Sequence, residues 1–156
     1  MTIYLAARYS RRLELCAYAE TLRSLGATVR ARWLSGSHQI DDSGEPLGEL
    51  GEAAIESGEV SAEKFAVDDL QDVLAADVVI CFTEPPRSTA TRGGRHVEMG
   101  IAIASHKKVL VVGYRENVFC WLPEIKFFAD VEPCFKWVSD CLTLSRLLAT
   151  LSGDRS

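Results

Sequence analysis

Three short apolar runs, "TIYLA" at 2–6, "DVVICF" at 77–82 and "KVLVV" at 108–112, each suit a strand buried on both faces, and stretches with helical spacing separate them. That alternation limits the fold more than any other feature. A strand buried on both faces needs a layer above and a layer below. A helix between successive strands returns the chain so that the next strand runs parallel to the last. The expected class is α/β: a flavodoxin-like or Rossmann-like, doubly wound, mainly parallel five-stranded sheet with helices on both faces.

The intervening segments fill in this plan. Leu13, Cys16, Ala17, Ala19, Leu22 and Leu25 recur near the helical period, and Gly26 is the stop signal. "ATVRARWL" at 27–34 predicts a second strand, with Trp33 either buried at its end or stacked on a ligand. From about Ser61, "AEKFAVDDLQDVLAA" predicts a helix that turns Phe65, Leu70, Val73 and Leu74 to the core and Asp68 and Asp72 to water. "RHVEMGIAIASH" predicts a mostly apolar helix, "RENVFCWLPEIKFFADV" an irregular segment with a short helix and a last strand, and "CFKWVSDCLTLSRLLATL" an amphipathic closing helix. A chain of 156 residues suits one domain, 1–156, interrupted by a polar, Gly- and Glu-rich insertion at about 35–60.

Composition narrows the function classes. A net charge of −5 argues against a nucleic-acid polymer as partner, because backbone binding needs a positive field. The charge is uneven, with six arginines in the first 32 residues and eleven acids between 41 and 72, so a small anionic ligand near the first loop fits. No stretch approaches the roughly 20 apolar residues that span a bilayer, and the N-terminus lacks the order of a secretory signal; a cytoplasmic protein with no membrane contact is expected. Five cysteines without a CxxC pair read as buried free thiols. His38, His96 and His106 lack metal-ligand spacing, and neither a metal nor an organic cofactor is expected.

In a parallel sheet of this kind ligands bind at the carboxyl ends of the strands, here "AARYSRR", "TEPPRSTATRGG" and "GYRENVF". Glu98 stands there, expected in the first turn of its helix, where free amides and the dipole would keep it ionised. It either satisfies those amides or acts as a nucleophile. The Gly93-Gly94 pair before it lets backbone approach a ligand closely. Asp69 begins near the same edge, because its helix runs antiparallel to the sheet. Tyr4, inside the first strand, is either core or a hydroxyl that orients a carboxylate. Asp77, at the opposite edge, reads as structural. Two neighbouring carboxylates resemble the machinery of glycosidic cleavage.

The order of "IYLAA", "DDLQDVLAADVVICF" and "GGRHVEMGIAIASHKKVLVV" resembles the nucleoside 2-deoxyribosyltransferase family, which includes 2'-deoxynucleoside 5'-phosphate N-hydrolases. The resemblance spans most of residues 2–119. It implies an enzyme that cleaves or transfers the N-glycosidic bond of a 2'-deoxynucleoside or its 5'-monophosphate through a covalent glycosyl-glutamate. Glu98 would be the nucleophile, Asp69 would bind the sugar or assist the leaving base, and Tyr4 would position the nucleophile. Substrate-binding positions would be Ala7, Arg8 and Arg11 in the first loop, with an arginine holding the phosphate, Ser88, Gly93 and Gly94 in the glycine loop, and Asn117. The family completes its pocket from a neighbouring subunit, which implies a homo-oligomer, a dimer or larger, with shared active sites. Thr91-Arg92 stand where transferases often carry an acidic residue that reads the base, and the insertion is longer than in short members. Two other readings stay open: a hydrolase of another nucleotide N-glycoside such as NAD, and a non-catalytic nucleotide-sensing module.

Overall fold

The computed structural model describes residues 1–36, 61–85 and 93–153. Five strands, β1 (Thr2–Ala6), β2 (Thr28–Val29), β3 (Val78–Phe82), β4 (Lys108–Val112) and β5 (Lys126–Phe128), form one sheet in the order β2-β1-β3-β4-β5. Every pair is parallel. The described helices are α1 (Arg12–Ser24), α2 (Ala62–Ala75), α3 (Gly94–Ala104) and α4 (Val131–Gly153). This is the doubly wound, flavodoxin-like arrangement that the alternating pattern predicts. Among the described residues no helix is long and apolar enough to cross a membrane. Most of the expected insertion, together with Ser88, Thr91 and Arg92, lies outside the described residues.

The central strands form the core because they are apolar on both faces. Ile3, Leu5, Val79, Ile80, Leu110 and Val111 have no exposure, and each such side chain contributes about 1.5–3 kcal/mol relative to exposure. Tyr4 stands beside Val79 in the β1–β3 register. Phe82, three residues further along β3, therefore points to the other face. There Tyr18 of α1 stacks on Phe82, with ring centroids 5.3 Å apart, and meets Phe135 of α4 edge-on at 5.5 Å. So α1 and α4 cover one face, while α2 and α3 cover the face to which Tyr4 points. Cys81, Cys120 and Cys134 are buried free thiols, whereas Cys16 and Cys141, expected to be buried as well, are half-buried.

Three local expectations differ. In α1 the buried row is Leu15, Ala19 and Leu22, and Leu13 is 75% exposed; a 3-10 turn at Tyr9–Arg11 precedes the helix and sets which stripe meets the sheet. Gly26 ends α1 as expected, with φ +97°. The second strand is only Thr28–Val29, and the chain turns at Arg32–Ser35. Its cause is a change of hydrogen-bond partner: the Arg32 backbone N–H donates to Asp72 Oδ2 at 2.8 Å instead of to a neighbouring strand. Trp33 is buried, and its indole N–H donates to the Leu5 carbonyl at 2.8 Å. In α2, capped by the Ser61 side chain on the Lys64 N–H, Asp68 and Asp72 are buried with Phe65 and Val73, whereas Leu70 and Leu74 are exposed. Arg32 makes that possible. Its Nη1 donates to Asp68 Oδ1 at 2.5 Å and its Nε to Asp72 Oδ1 at 3.0 Å, and Arg30 Nε adds a bond to Asp72 at 2.9 Å. Asp77 is structural, accepting the Thr2 backbone N–H at 2.7 Å.

Candidate active site

The fold brings Tyr4 and Glu98 together across the α3 face of the sheet. Tyr4 is fully buried in β1, and its hydroxyl donates to Glu98 Oε1 at 2.7 Å. The ring packs as core while its tip holds a carboxylate, so the two readings of Tyr4 describe one side chain. Glu98 Oε2 is buried and meets no hydrogen-bond partner among the described residues.

Glu98 does not lie in the first turn of its helix. The helix starts at Gly94, capped by Gly93, and Glu98 comes one full turn later, beyond the reach of the free amides. Burial therefore dominates its electrostatics and pushes its carboxyl up from 4.5 to about 7. The Tyr4 hydrogen bond opposes that shift, the Asp69 charge adds to it, and the nearby Arg95 charge opposes it. The same pair of carboxylates, with burial as the larger cause, pushes the Tyr4 phenol well above its usual value, which keeps it a donor.

Asp69 is half-buried on α2, and burial pushes its carboxyl up from 3.8 to about 7, helped by the charges of Asp72 and Asp68 and opposed by Arg32. Its neighbour Asp72 behaves differently. Burial raises it too, but the hydrogen bonds from Arg32 and Arg30 outweigh burial and hold it below the usual range. Thus α2 presents one carboxyl poised near neutrality beside two that are held by cations. Glu98 and Asp69 are each pushed up to about 7, mainly by burial, an arrangement suited to one ionised and one protonated carboxyl working together.

The remaining expected residues divide. Gly93 adopts φ +83°, a left-handed conformation that favours glycine, and among the described residues nothing lies within 4 Å of where a Cβ would stand at Gly93 or Gly94. Ala7 and Arg8 are half-buried at the end of β1, and among the described residues Arg8 makes no ion pair. Arg11 sits on the α1 face: it forks onto Glu14 at 2.8 and 2.7 Å, reaches Glu84 at 3.3 Å and lies over the Phe82 ring. Asn117 caps the 3-10 turn Val118–Trp121, its Oδ1 accepting the Phe119 N–H at 2.9 Å. It also borders a mainly apolar groove of about 470 Å³ that runs along α3 past Met99, Gly100 and Ile103.

Sequence reasoning missed a cluster beside the site. Arg95 is buried and forks onto Glu116, which also meets His96 and the Glu84 N–H. One signal was available: Arg95 precedes Glu98 by three residues, so the two share a face of any helix. Glu116 pairs with it across 21 positions, and no local pattern carries that.

No family model matches the chain, and no curated protein does. Among solved structures, the CMP N-glycosidase BcmB of Clostridium botulinum is similar, with a TM-score of 0.51 and 16% identity over 82% of this chain and 87% of that one. At that identity the likeness is one of fold.

Proposed function

We propose that this protein cleaves or transfers the N-glycosidic bond of a 2'-deoxynucleoside or its 5'-monophosphate. The observation that carries the reading is the 2.7 Å hydrogen bond from the buried Tyr4 hydroxyl to Glu98 Oε1, which leaves the other oxygen of a desolvated carboxylate for attack. The reading is supported by the resemblance of "GGRHVEMG" and "DDLQDVLAADVV" to the nucleoside 2-deoxyribosyltransferase pattern, and by a fold similar to that of a CMP N-glycosidase.

In the proposed reaction Glu98 Oε2 attacks the anomeric carbon and forms a glycosyl ester. The carbon–nitrogen bond breaks, its electron pair leaves with the base, and protonated Asp69 supplies the proton that neutralises the base. Water, or the nitrogen of a second base, then attacks the anomeric carbon and gives its proton to the ionised Asp69, while the carbon–oxygen bond to Glu98 breaks and frees its carboxylate. Tyr4 holds Oε1 so that Oε2 faces the sugar. Arg8 is the residue best placed to receive a 5'-phosphate; Arg11 would first have to release Glu14 and Glu84. Ala7, Ser88, Gly93 and Gly94 complete the substrate contacts in this reading, and Asn117 reaches the pocket of a second subunit in a homo-oligomer.

The test is incubation with matched deoxynucleosides and monophosphates, with and without an acceptor base, followed by chromatography. Free base without acceptor marks a hydrolase and base exchange marks a transferase. Both should vanish by several orders of magnitude in a folded Glu98→Gln variant. A monophosphate preference that shrinks in Arg8→Ala would support the phosphate role. Binding without base release or exchange would reject the enzyme in favour of a sensor.

A further inference from the structure

Arg95, Glu116 and His96 form a charged cluster that the proposed chemistry does not use. The Arg95 side chain is only 5% exposed, and a buried guanidinium is tolerated only when it is paired. Its partner is Glu116, 9% exposed, on the segment that follows β4. Arg95 Nε donates to Glu116 Oε1 at 3.0 Å and Nη2 to Oε2 at 2.9 Å. The same carboxylate accepts the Glu84 backbone N–H at 3.1 Å and lies 2.9 Å from His96 Nε2. The guanidinium is thereby fixed in the manner of a bidentate pair.

One nitrogen is left over. Arg95 Nη1 is buried and has no hydrogen-bond partner among the described residues, and the same holds for Glu98 Oε2. The two residues are three apart on α3, so a donor and an acceptor of opposite charge share one helix face beside the site. An arginine that merely tied two loops together would be served by the Glu116 fork at the surface, without this burial. Among the described residues, the groups facing Glu98 are Tyr4 from β1, Cys81 from β3, Asp69 from α2 and Arg95 on its own helix. Of these, Arg95 alone carries positive charge.

We propose that Arg95 is a positioning residue that serves Glu98 as a fixed counter-charge, with Glu116 pinning the guanidinium and offsetting part of its charge. The inference rests on Glu98 as the nucleophile for its meaning, but its electrostatic content is measurable without turnover. Neutralising Glu116 removes a negative charge beside the guanidinium, so the net field of the pair at Glu98 becomes more positive; with Arg95 neutralised, burial and Asp69 act on Glu98 opposed by no other cation among the described residues. The two changes therefore act in opposite directions, which a purely structural role would not produce.

The experiment is an NMR titration of the Glu98 side-chain carboxyl in protein labelled with carbon-13 glutamate, the signal assigned with Glu98→Gln. Arg95→Met should move the Glu98 midpoint up by at least half a pH unit, and the acid limb of kcat with it. Glu116→Gln, which keeps the shape of the fork, should move the midpoint down. Unmoved midpoints in both folded variants, or shifts of the same sign, would overturn the proposal. Should Arg95→Met fail to fold, Arg95→Gln takes its place: an upward shift supports the counter-charge, and no shift or a downward one rejects it. Opposite shifts in a protein whose Glu98→Gln variant still turns over would uphold the counter-charge and reject Glu98 as nucleophile.

Discussion

Burial pushes the carboxyls of Glu98 and Asp69 each up to about 7, and the Asp69 charge adds to the rise at Glu98. With one ionised as nucleophile and one protonated as acid, kcat/KM should follow a bell with its maximum near pH 7. A profile that rose monotonically to pH 9 would remove the acid from the mechanism. The same burial makes a stability prediction. Glu98 titrates higher folded than unfolded, so its protonated form supports the fold below about pH 4.5, and that support is lost as pH rises through about 7. Glu98→Gln should therefore gain about 2–3 kcal/mol over wild type at pH 8 relative to the same comparison at pH 4, read as a difference in Tm. Tyr4→Phe keeps the core ring and loses one charge-assisted hydrogen bond, worth about 1.5–3 kcal/mol, so kcat should fall by about 10- to 150-fold while the thermal transition stays cooperative.

At the scale of elements, the part that departs most from expectation is the joint between β2 and α2. Asp72 is fully buried and accepts from Arg30, from Arg32 and from the Arg32 backbone N–H. Asp72→Ala leaves that N–H without its acceptor, while the two arginines, 49% and 38% exposed, can turn towards water. The expected cost is about 2–4 kcal/mol in urea unfolding at pH 7. Because Asp72 is held below its usual range, its contribution is present above about pH 4 and is lost as pH falls through the folded value, so the variant should match wild type most closely in acid. This joint also shows what the sequence could and could not reveal. The runs "TIYLA", "DVVICF" and "KVLVV" announced three strands because burial on both faces leaves no polar position. "VDDLQDVL" misled because a hydrophobic–polar pattern assigns carboxylates to water, whereas Arg32 holds Asp68 and Asp72 inward, with Arg30 adding to Asp72 and Lys64, one turn back, to Asp68. Tyr4 and Glu98 were individually legible, while the Arg95–Glu116 pair and the depth of Glu98 in α3 depend on tertiary contacts and on where the helix begins.

At the scale of the whole molecule, one of the exposed apolar patches of the described chain lies on the segment after β4. Val118, Phe119 and Trp121 are 77%, 59% and 69% exposed, and the groove along α3 opens beside them. Arg115 covers one region of the Trp121 ring, 4.4 Å from its centroid, yet most of the indole stays open to solvent. A second copy of the chain would bury this surface, and its Asn117 would arrive at the partner's pocket. A two-fold pair is the simplest assembly with that property. Asn117 already spends its Oδ1 on the Phe119 N–H, so the group offered to the partner would be its amide NH2. Mixing inactive Glu98→Ala with inactive Asn117→Ala chains should then restore activity, because one pocket of a mixed dimer receives a native glutamate from one chain and a native asparagine from the other. With free exchange at equal concentrations, half the dimers are mixed and each has one whole pocket, so about a quarter of wild-type activity is expected. Loss of the Asn117 cap costs about 1 kcal/mol, too little to prevent folding or exchange. A monomer in sedimentation would reject the assembly, and a dimer with proven exchange but no restored activity would remove Asn117 from the site.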